Sequence, residues 1–159
     1  MAYPELPPPP EPQGAYLPAI VHAGVVYTAG MTPREDGRLV AIGRVGEQVS
    51  IETARQAAGL SALRALSAAS AAVGGLDQVI RLLRLTVYVA CGPDFTEHSR
   101  VADGASEALE QVLGAPGRTV RTACGVSSLP GGSCVEVELV AVCKTLATHR
   151  EGTTPLPRT

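Results

Sequence analysis

The stretch from Val120 to Glu138, VRTACGVSSLPGGSCVEVE, contains two strand-like runs, a Pro-Gly-Gly turn, one arginine and two glutamates. A half-buried strand prefers apolar and neutral residues on its inner face, so charged side chains in such runs need a reason. The charged residues here are Arg121, Glu136 and Glu138. They either lie on a solvated face of a sheet or form an anion site with a carboxylate nearby.

The composition is that of one compact domain. A chain of 159 residues with 45% apolar content is long enough to bury a core. No apolar run approaches the roughly 20 residues of a membrane helix, and the N-terminus lacks the order of a signal peptide. We therefore expect a cytoplasmic protein with no membrane partner. The net charge of −2, without a basic block interleaved with aromatics, argues against nucleic acid as a partner.

The cysteines and histidines do not have the spacing of metal ligands. No C-x-x-C pair occurs among the four cysteines, which are Cys91, Cys124, Cys134 and Cys143. We expect free thiols that pack as small hydrophobic side chains rather than disulfides or zinc ligands. The three histidines lie far apart in the sequence, so neither a metal site nor a cofactor is predicted.

Changes in composition divide the chain into three parts. Residues 1–13 contain four successive prolines and are predicted to form a Pro-rich arm. Residues 14–144 are predicted to form the single domain, and residues 145–159 a polar tail. The domain begins with AIVH and VVYTA, two β-type runs separated by Ala-Gly, which predict a hairpin. A third short strand is predicted at Leu39–Ile42.

Two helices and a central strand are predicted next. Ser50 is a suitable N-cap for a helix that runs to about Val73, where a pair of glycines ends it. The aliphatic run from Val79 to Ala90 predicts a central strand. Asp94, with Glu97 three residues later, resembles a capping box at the start of a second amphipathic helix.

The last two predicted strands are Val120–Ser127 and Cys134–Lys144, joined as a hairpin at Pro130–Gly132. The order βββ-α-β-α-ββ predicts an α+β fold in which two helices cover one face of a mixed sheet. The strands are apolar enough on both faces that we expect the other face to pack against further copies of the chain. A homo-oligomer is therefore predicted.

The predicted hairpin also separates its charged residues. With a tight turn at Pro130–Gly132, Arg121 and Glu136 would be about five residues apart along the strands, on the order of 17 Å. In that register their side chains also point to opposite faces, although a slip of one residue would reverse this. One hairpin cannot bring both over a small substrate, so a site that uses both is predicted to need a second chain.

Several motifs resemble those of one known family. They are VYTAGMTP at Val26 to Pro33, GRVG at Gly43 to Gly46, LTVYVA at Leu85 to Ala90, and an arginine nine residues before the proline of Leu129-Pro130, followed by a V-E-x-E strand. Over roughly Gly14 to Cys143 the chain resembles the RidA/YjgF family of reactive enamine/imine deaminases. The resemblance implies a chorismate-mutase-like fold and a homotrimer.

The resemblance also implies a hydrolytic deaminase with its site between subunits. Arg121 would bind the carboxylate of a 2-enamino or 2-imino acid, because a planar guanidinium pairs with a carboxylate through two hydrogen bonds. Glu136 would position or activate the water that attacks the imine carbon. The products would be ammonia and a 2-oxo acid.

Further substrate contacts follow from the same resemblance. Tyr16 matches a tyrosine at the cleft wall, Gly30 would allow close approach, and the main chain near Ala123 and Cys124 would contact the carboxylate. Ser99 stands where many members have asparagine, and Ala123 where many have cysteine. A second hypothesis is therefore a catalytically silent trimer that binds a small carboxylate. The ribonuclease activity ascribed to some members is a third, which the acidic balance argues against.

Overall fold

Residues 5–144, the part of the chain described by the computed structural model, form a mixed sheet with two helices on one face. The elements are β1 (Ala19–His22), β2 (Val25–Thr28), β3 (Arg34–Glu35), β4 (Arg38–Leu39), α1 (Ile51–Val73), β5 (Val79–Ala90), α2 (His98–Leu113), β6 (Val120–Val126) and β7 (Val135–Cys143). The main sheet has the order β1-β2-β7-β5-β6, and β3 pairs only with β4. The predicted α+β architecture is confirmed. Within residues 5–144, no helix is long and apolar enough to cross a membrane.

The N-terminal strands form two separate hairpins. Ala23 and Gly24, both at positive φ, close the predicted β1–β2 hairpin. The prediction of a third strand at Leu39–Ile42 is wrong, since only Leu39 of that range lies in a strand, β4. Asp36 and Gly37 also adopt positive φ and fold the chain into the β3–β4 ribbon, and Ile42 then makes only an isolated bridge to the main sheet.

Helix α1 begins and ends where its sequence predicts. The Ser50 side chain accepts a hydrogen bond from the Thr53 N–H at 3.1 Å, and Gly74 ends the helix in the left-handed conformation at φ 87°. Its small alanine side chains are buried and let the helix pack closely on the sheet. The described part of the N-terminal arm lies against this helix, where Ser67 donates to the Pro7 carbonyl at 2.6 Å. The predicted tail, 145–159, lies outside the described residues.

Helix α2 begins later than predicted. Its N-cap is Glu97, whose side chain makes no capping hydrogen bond but pairs with Arg100. The predicted capping box at Asp94 is therefore wrong. Phe95 packs against the core ahead of the helix, so the chain between Asp94 and Glu97 is not helical.

The last two strands do not form the predicted hairpin. Strand β6 pairs in parallel with one edge of β5, and β7 pairs antiparallel with the other edge. The parallel pairing arises because α2 connects β5 to β6 and returns the chain to the same end of the sheet. Pro130–Gly132 forms a single 3₁₀ turn in the segment that crosses the end of β5. The central strand thus separates the two runs that carry Arg121 and Glu136.

We predict that Ser50→Ala lowers the free energy of unfolding by about 1 kcal/mol, because the Thr53 N–H loses its acceptor at the helix N-terminus. Denaturant titration at fixed protein concentration measures this change. Ser50→Asp, which retains an acceptor, should remain close to wild type, and Ser128→Ala in an exposed loop is the matched control. Equal losses in Ser50→Ala and Ser128→Ala would contradict the capping role.

Candidate functional site

Strand β7 presents its two glutamates on the face of the sheet that the helices leave open. Val135, Val137 and Leu139 alternate with them and are buried in the core. Since successive side chains of a strand point to opposite faces, Glu136 and Glu138 both point away from the helices. Both are partly buried.

Glu136 lies directly over Gly30. A Cβ atom at position 30 would stand only 1.8 Å from Glu136 Oε1, so no other residue fits there with this carboxylate in place. The following residue, Met31, holds the segment to β7 through two backbone hydrogen bonds with Val137, of 2.8 and 3.0 Å. The structure therefore brings together two of the predicted site residues, Gly30 and Glu136.

The surroundings of Glu136 favour its protonated form. Burial raises the pKa of its carboxyl group above the ordinary value of 4.5, and the nearby Glu138 raises it further. A carboxyl group with a raised pKa can exchange a proton with a bound molecule nearer neutral pH than an exposed glutamate can.

Tyr88 extends this open-face group. Its hydroxyl donates a hydrogen bond to Glu138 Oε1 at 3.1 Å, and burial together with this contact raises the pKa of the phenol. Cys124 lies beside Tyr88 on β6 and shares its face of the sheet. The contact of Tyr88 with Glu138 could not be predicted from the sequence, because it depends on the pairing of β5 with β7 in the sheet.

Arg121 lies on the opposite face, where α2 holds its guanidinium. Nη1 donates to Asp103 Oδ1 and to Ser106 Oγ, each at 2.9 Å, and Nη2 lies 3.4 Å from the Ser99 carbonyl oxygen. The Arg121 side chain is 21% exposed. Sequence reasoning missed Asp103 and Ser106. Asp103 follows Ser99 by four residues and Ser106 follows Asp103 by three, a spacing that could have indicated that all three lie on one side of α2.

Arg121 and Glu136 do not share a pocket within one subunit. Arg121 pairs with Leu85 and Glu136 with Tyr88, so the two charges are three residues apart along β5 and lie on its two sides. With strand spacings of about 4.8 Å and 3.3 Å per residue, their Cα atoms are roughly 14 Å apart. Their side chains point to opposite faces of the sheet.

The remaining predicted site residues divide between the two faces and the N-terminal segment. Ala123 follows Arg121 on the helix-facing side of β6 and is half-buried against the core. The Ser99 side chain is exposed, and only its carbonyl contacts Arg121. Tyr16 precedes β1 and is 45% exposed, and its hydroxyl accepts a hydrogen bond from the Gln13 N–H at 3.1 Å. Within residues 5–144, no group of three or more His, Cys, Asp or Glu side chains is placed to hold a metal ion.

This fold and the split of its charged groups can be compared with known proteins. The family model described as endoribonuclease L-PSP, which covers the RidA/YjgF proteins, matches residues 8–143. The chain belongs to this family. The protein TCP17 of Trypanosoma cruzi is 36% identical over 128 residues, which are 80% of each chain.

Solved structures of similar chains support the same assignment. Protein Atu1372 of Agrobacterium tumefaciens, described as of unknown function, is 35% identical and superposes with a TM-score of 0.80 over 82% of each chain. A protein from Shewanella oneidensis MR-1 is 28% identical, with a TM-score of 0.82 over 87% of this chain and 91% of that one. The family and the fold are thus shown, whereas the L-PSP family name does not itself assign a reaction to this chain.

We predict that Gly30→Ala destabilises the protein, because its Cβ would clash with the Glu136 carboxylate. Thermal unfolding of the single variants and of Gly30→Ala/Glu136→Ala provides a double-mutant cycle. The double variant should lose less stability than the sum of the two single changes. Gly14→Ala is the control, since its Cβ would make ordinary contact with Tyr16 at 3.6 Å. Additive losses would contradict the contact.

We also predict a pH-dependent gain in stability from Glu136→Gln. The pKa of Glu136 is higher in the folded state than in the unfolded state. Its protonated form therefore contributes to the free energy of unfolding at pH values below the unfolded-state pKa, and this contribution is lost as the pH rises through the folded-state pKa. Glutamine resembles the protonated form, so the variant should gain free energy of unfolding relative to wild type between about pH 4 and pH 7. Denaturant titrations at both pH values measure the difference. A pH-independent difference would show that Glu136 titrates alike in both states.

Proposed function

We propose that the protein hydrolyses small 2-enamino or 2-imino acids to 2-oxo acids and ammonia, at clefts between the subunits of a homotrimer. The observation that carries this proposal is the separation of a rigidly held arginine and a carboxyl group of raised pKa onto opposite faces of one subunit. The resemblance of its motifs to those of the RidA/YjgF deaminases supports the same reaction class, and the chain belongs to that family.

Arg121 is suited to bind the carboxylate of the substrate. Its Nη1 is anchored by Asp103 and Ser106, so the guanidinium plane is oriented before any ligand arrives. Nη2 has only a long contact to the Ser99 carbonyl, at 3.4 Å, and retains donor capacity. A guanidinium oriented in this way gives up less conformational freedom when it pairs with a carboxylate.

Glu136 is suited to move the protons of the hydrolysis. As a carboxylic acid it would first protonate the imine nitrogen, and the resulting carboxylate would take a proton from the water that attacks the imine carbon, forming a carbinolamine. It would then pass that proton to nitrogen and take the hydroxyl proton as the C–N bond breaks, so that ammonia leaves and the carboxylic acid is regenerated. One group can serve as both acid and base because its raised pKa brings both forms closer to neutral pH.

The open face of the sheet is the surface on which a second copy would complete the site. Two large side chains remain about half exposed there, Ile20 at 55% and Tyr27 at 49%. Their side chains point to the same face of the sheet as Val140, which is also the face of Glu136 and Glu138. Packing of another subunit on this face would bury the apolar residues and bring a neighbour's Arg121 towards Glu136.

The second candidate function is the binding of a small carboxylate without turnover. The observation that favours it is the environment of Arg121, where the exposed Ser99 side chain and the methyl group of Ala123 provide no further oriented group. Saturable binding of 2-oxo acids, without faster ammonia release and abolished in Arg121→Ala, would support this alternative.

We predict that two inactive variants restore activity when they assemble together. Arg121→Ala and Glu136→Gln should each lose ammonia release from freshly generated imino acids. In a mixed trimer, one interface combines the intact Arg121 of one chain with the intact Glu136 of its neighbour. About one third of wild-type activity per mixed trimer should therefore return.

The mixed oligomers are prepared by co-expression with two affinity tags and sequential purification. A mixture of Arg121→Ala with Arg121→Gln is the matched control, because none of its interfaces contains the arginine. Mixed Arg121→Ala/Glu136→Gln oligomers that remain inactive, while wild type is active, would argue against a site shared between subunits.

A further inference from the structure

A cavity of about 440 Å³ lies at the ends of β5 and β6, next to the start of α2, and contains neither Arg121 nor Glu136. Cys91 and His98 both line it, together with Gly125, Phe95 and Arg44. This cavity is therefore separate from the proposed deaminase site, and it places a nucleophile, Cys91, and a base, His98, beside a volume that can hold a small molecule.

The thiol and the imidazole in this cavity are in contact. Cys91 Sγ lies 3.5 Å from His98 Nε2, which is within hydrogen-bonding distance for sulfur. The His98 ring is held edge-to-face against Phe95, with ring centroids 5.1 Å apart. Phe95 thus restricts the orientation of the imidazole.

Gly125 makes this contact sterically possible. A Cβ atom at position 125 would stand 2.7 Å from His98 Nε2 and 2.9 Å from Cys91 Sγ. Any side chain on β6 at this point would force the two groups apart. The absence of one leaves both open to the cavity.

The electrostatic surroundings keep Cys91 protonated at rest. Burial raises the pKa of its thiol, a backbone hydrogen bond with Val126 and the positive charge of Arg44 partly offset this effect, and Glu47 adds to it. A thiol of this kind reacts when a neighbouring base removes its proton as the new bond forms. His98, in the tautomer with its proton on Nδ1, has Nε2 free to serve as that base.

We propose that Cys91 and His98 form a covalent modification site for small, uncharged α,β-unsaturated carbonyl compounds. The sulfur would bond to the β-carbon while the thiol proton passes to His98 Nε2. The electron pair of the C=C bond would move to the α-carbon, which then takes the proton from the imidazolium. The product is a thioether, and the reaction needs no leaving group or further reactant.

The other three cysteines provide internal controls. Cys134 is fully buried and burial raises the pKa of its thiol to about 11, so it reports only on unfolding. Cys91 and Cys143 are both buried, at 8% and 4% exposed, but Cys91 contacts His98, and Cys124 is partly exposed on the open face. Site-resolved rates can therefore be read within a single sample.

The test treats the full-length protein with acrylamide and follows each cysteine by peptide mass spectrometry. Cys91 should react at least about tenfold faster than Cys134 or Cys143. His98→Gln, which can still accept a hydrogen bond but cannot carry the proton, should slow Cys91 about tenfold or more. It should leave Cys124 unchanged.

Gly125→Ala is a second, independent variant that should also slow Cys91, because its Cβ separates the thiol from the base. Gly14→Ala is its matched control. A Cys91 rate as slow as that of Cys134 would overturn the proposal, and so would an unchanged Cys91 rate in His98→Gln. Neither readout depends on ammonia release, so the result is independent of the proposed deaminase function.

Discussion

The pairing of strand β5 on both of its edges determines the rest of this structure. It takes β6 in parallel on one side and β7 antiparallel on the other, and its alternate residues form the centre of the core. Each charged residue of β6 and β7 points to the same face of the sheet as the β5 residue opposite to it. Arg121, opposite Leu85, therefore points towards the helices, and Glu136, opposite Tyr88, points away from them.

The two faces then give their charged side chains different chemical environments. On the helix side, Arg121 is satisfied by α2, and its charge is balanced by Asp103. On the open side, Glu136 has a like charge beside it and a glycine beneath it, so burial acts on its carboxyl group without compensation. Within one subunit, the oriented cation and the carboxyl group that favours its proton therefore stay on opposite faces of the sheet.

The parts of the fold that sequence predicted well are those set by local chemistry. The Ser50 side chain caps the start of α1, and Gly74, which has no side chain, ends the helix in the left-handed conformation. Ala23 and Gly24 close the β1–β2 hairpin through their own positive φ angles. The failures have non-local causes. Nothing near Pro130 shows that another strand lies between β6 and β7, because that depends on where α2 returns the chain.

The same distinction applies to the site. Arg121, Glu136 and Gly30 were predicted as site residues from motif spacing, and the structure places Gly30 against the Glu136 side chain. The Asp103 and Tyr88 contacts arise from tertiary packing of α2 on β6 and of β5 beside β7. A single sequence contains their residue types and spacing but not their partners.

The close fit of Gly30 beneath Glu136 has a consequence for how this sequence can change. The Cβ that glycine lacks would collide with the carboxylate, whereas a shorter side chain at position 136 would leave a void in the same place. The two positions therefore share the same space, although they lie 106 residues apart in the chain. A side chain at position 30 requires the Glu136 carboxylate to move, whereas glutamine at position 136 keeps the length that fills this space.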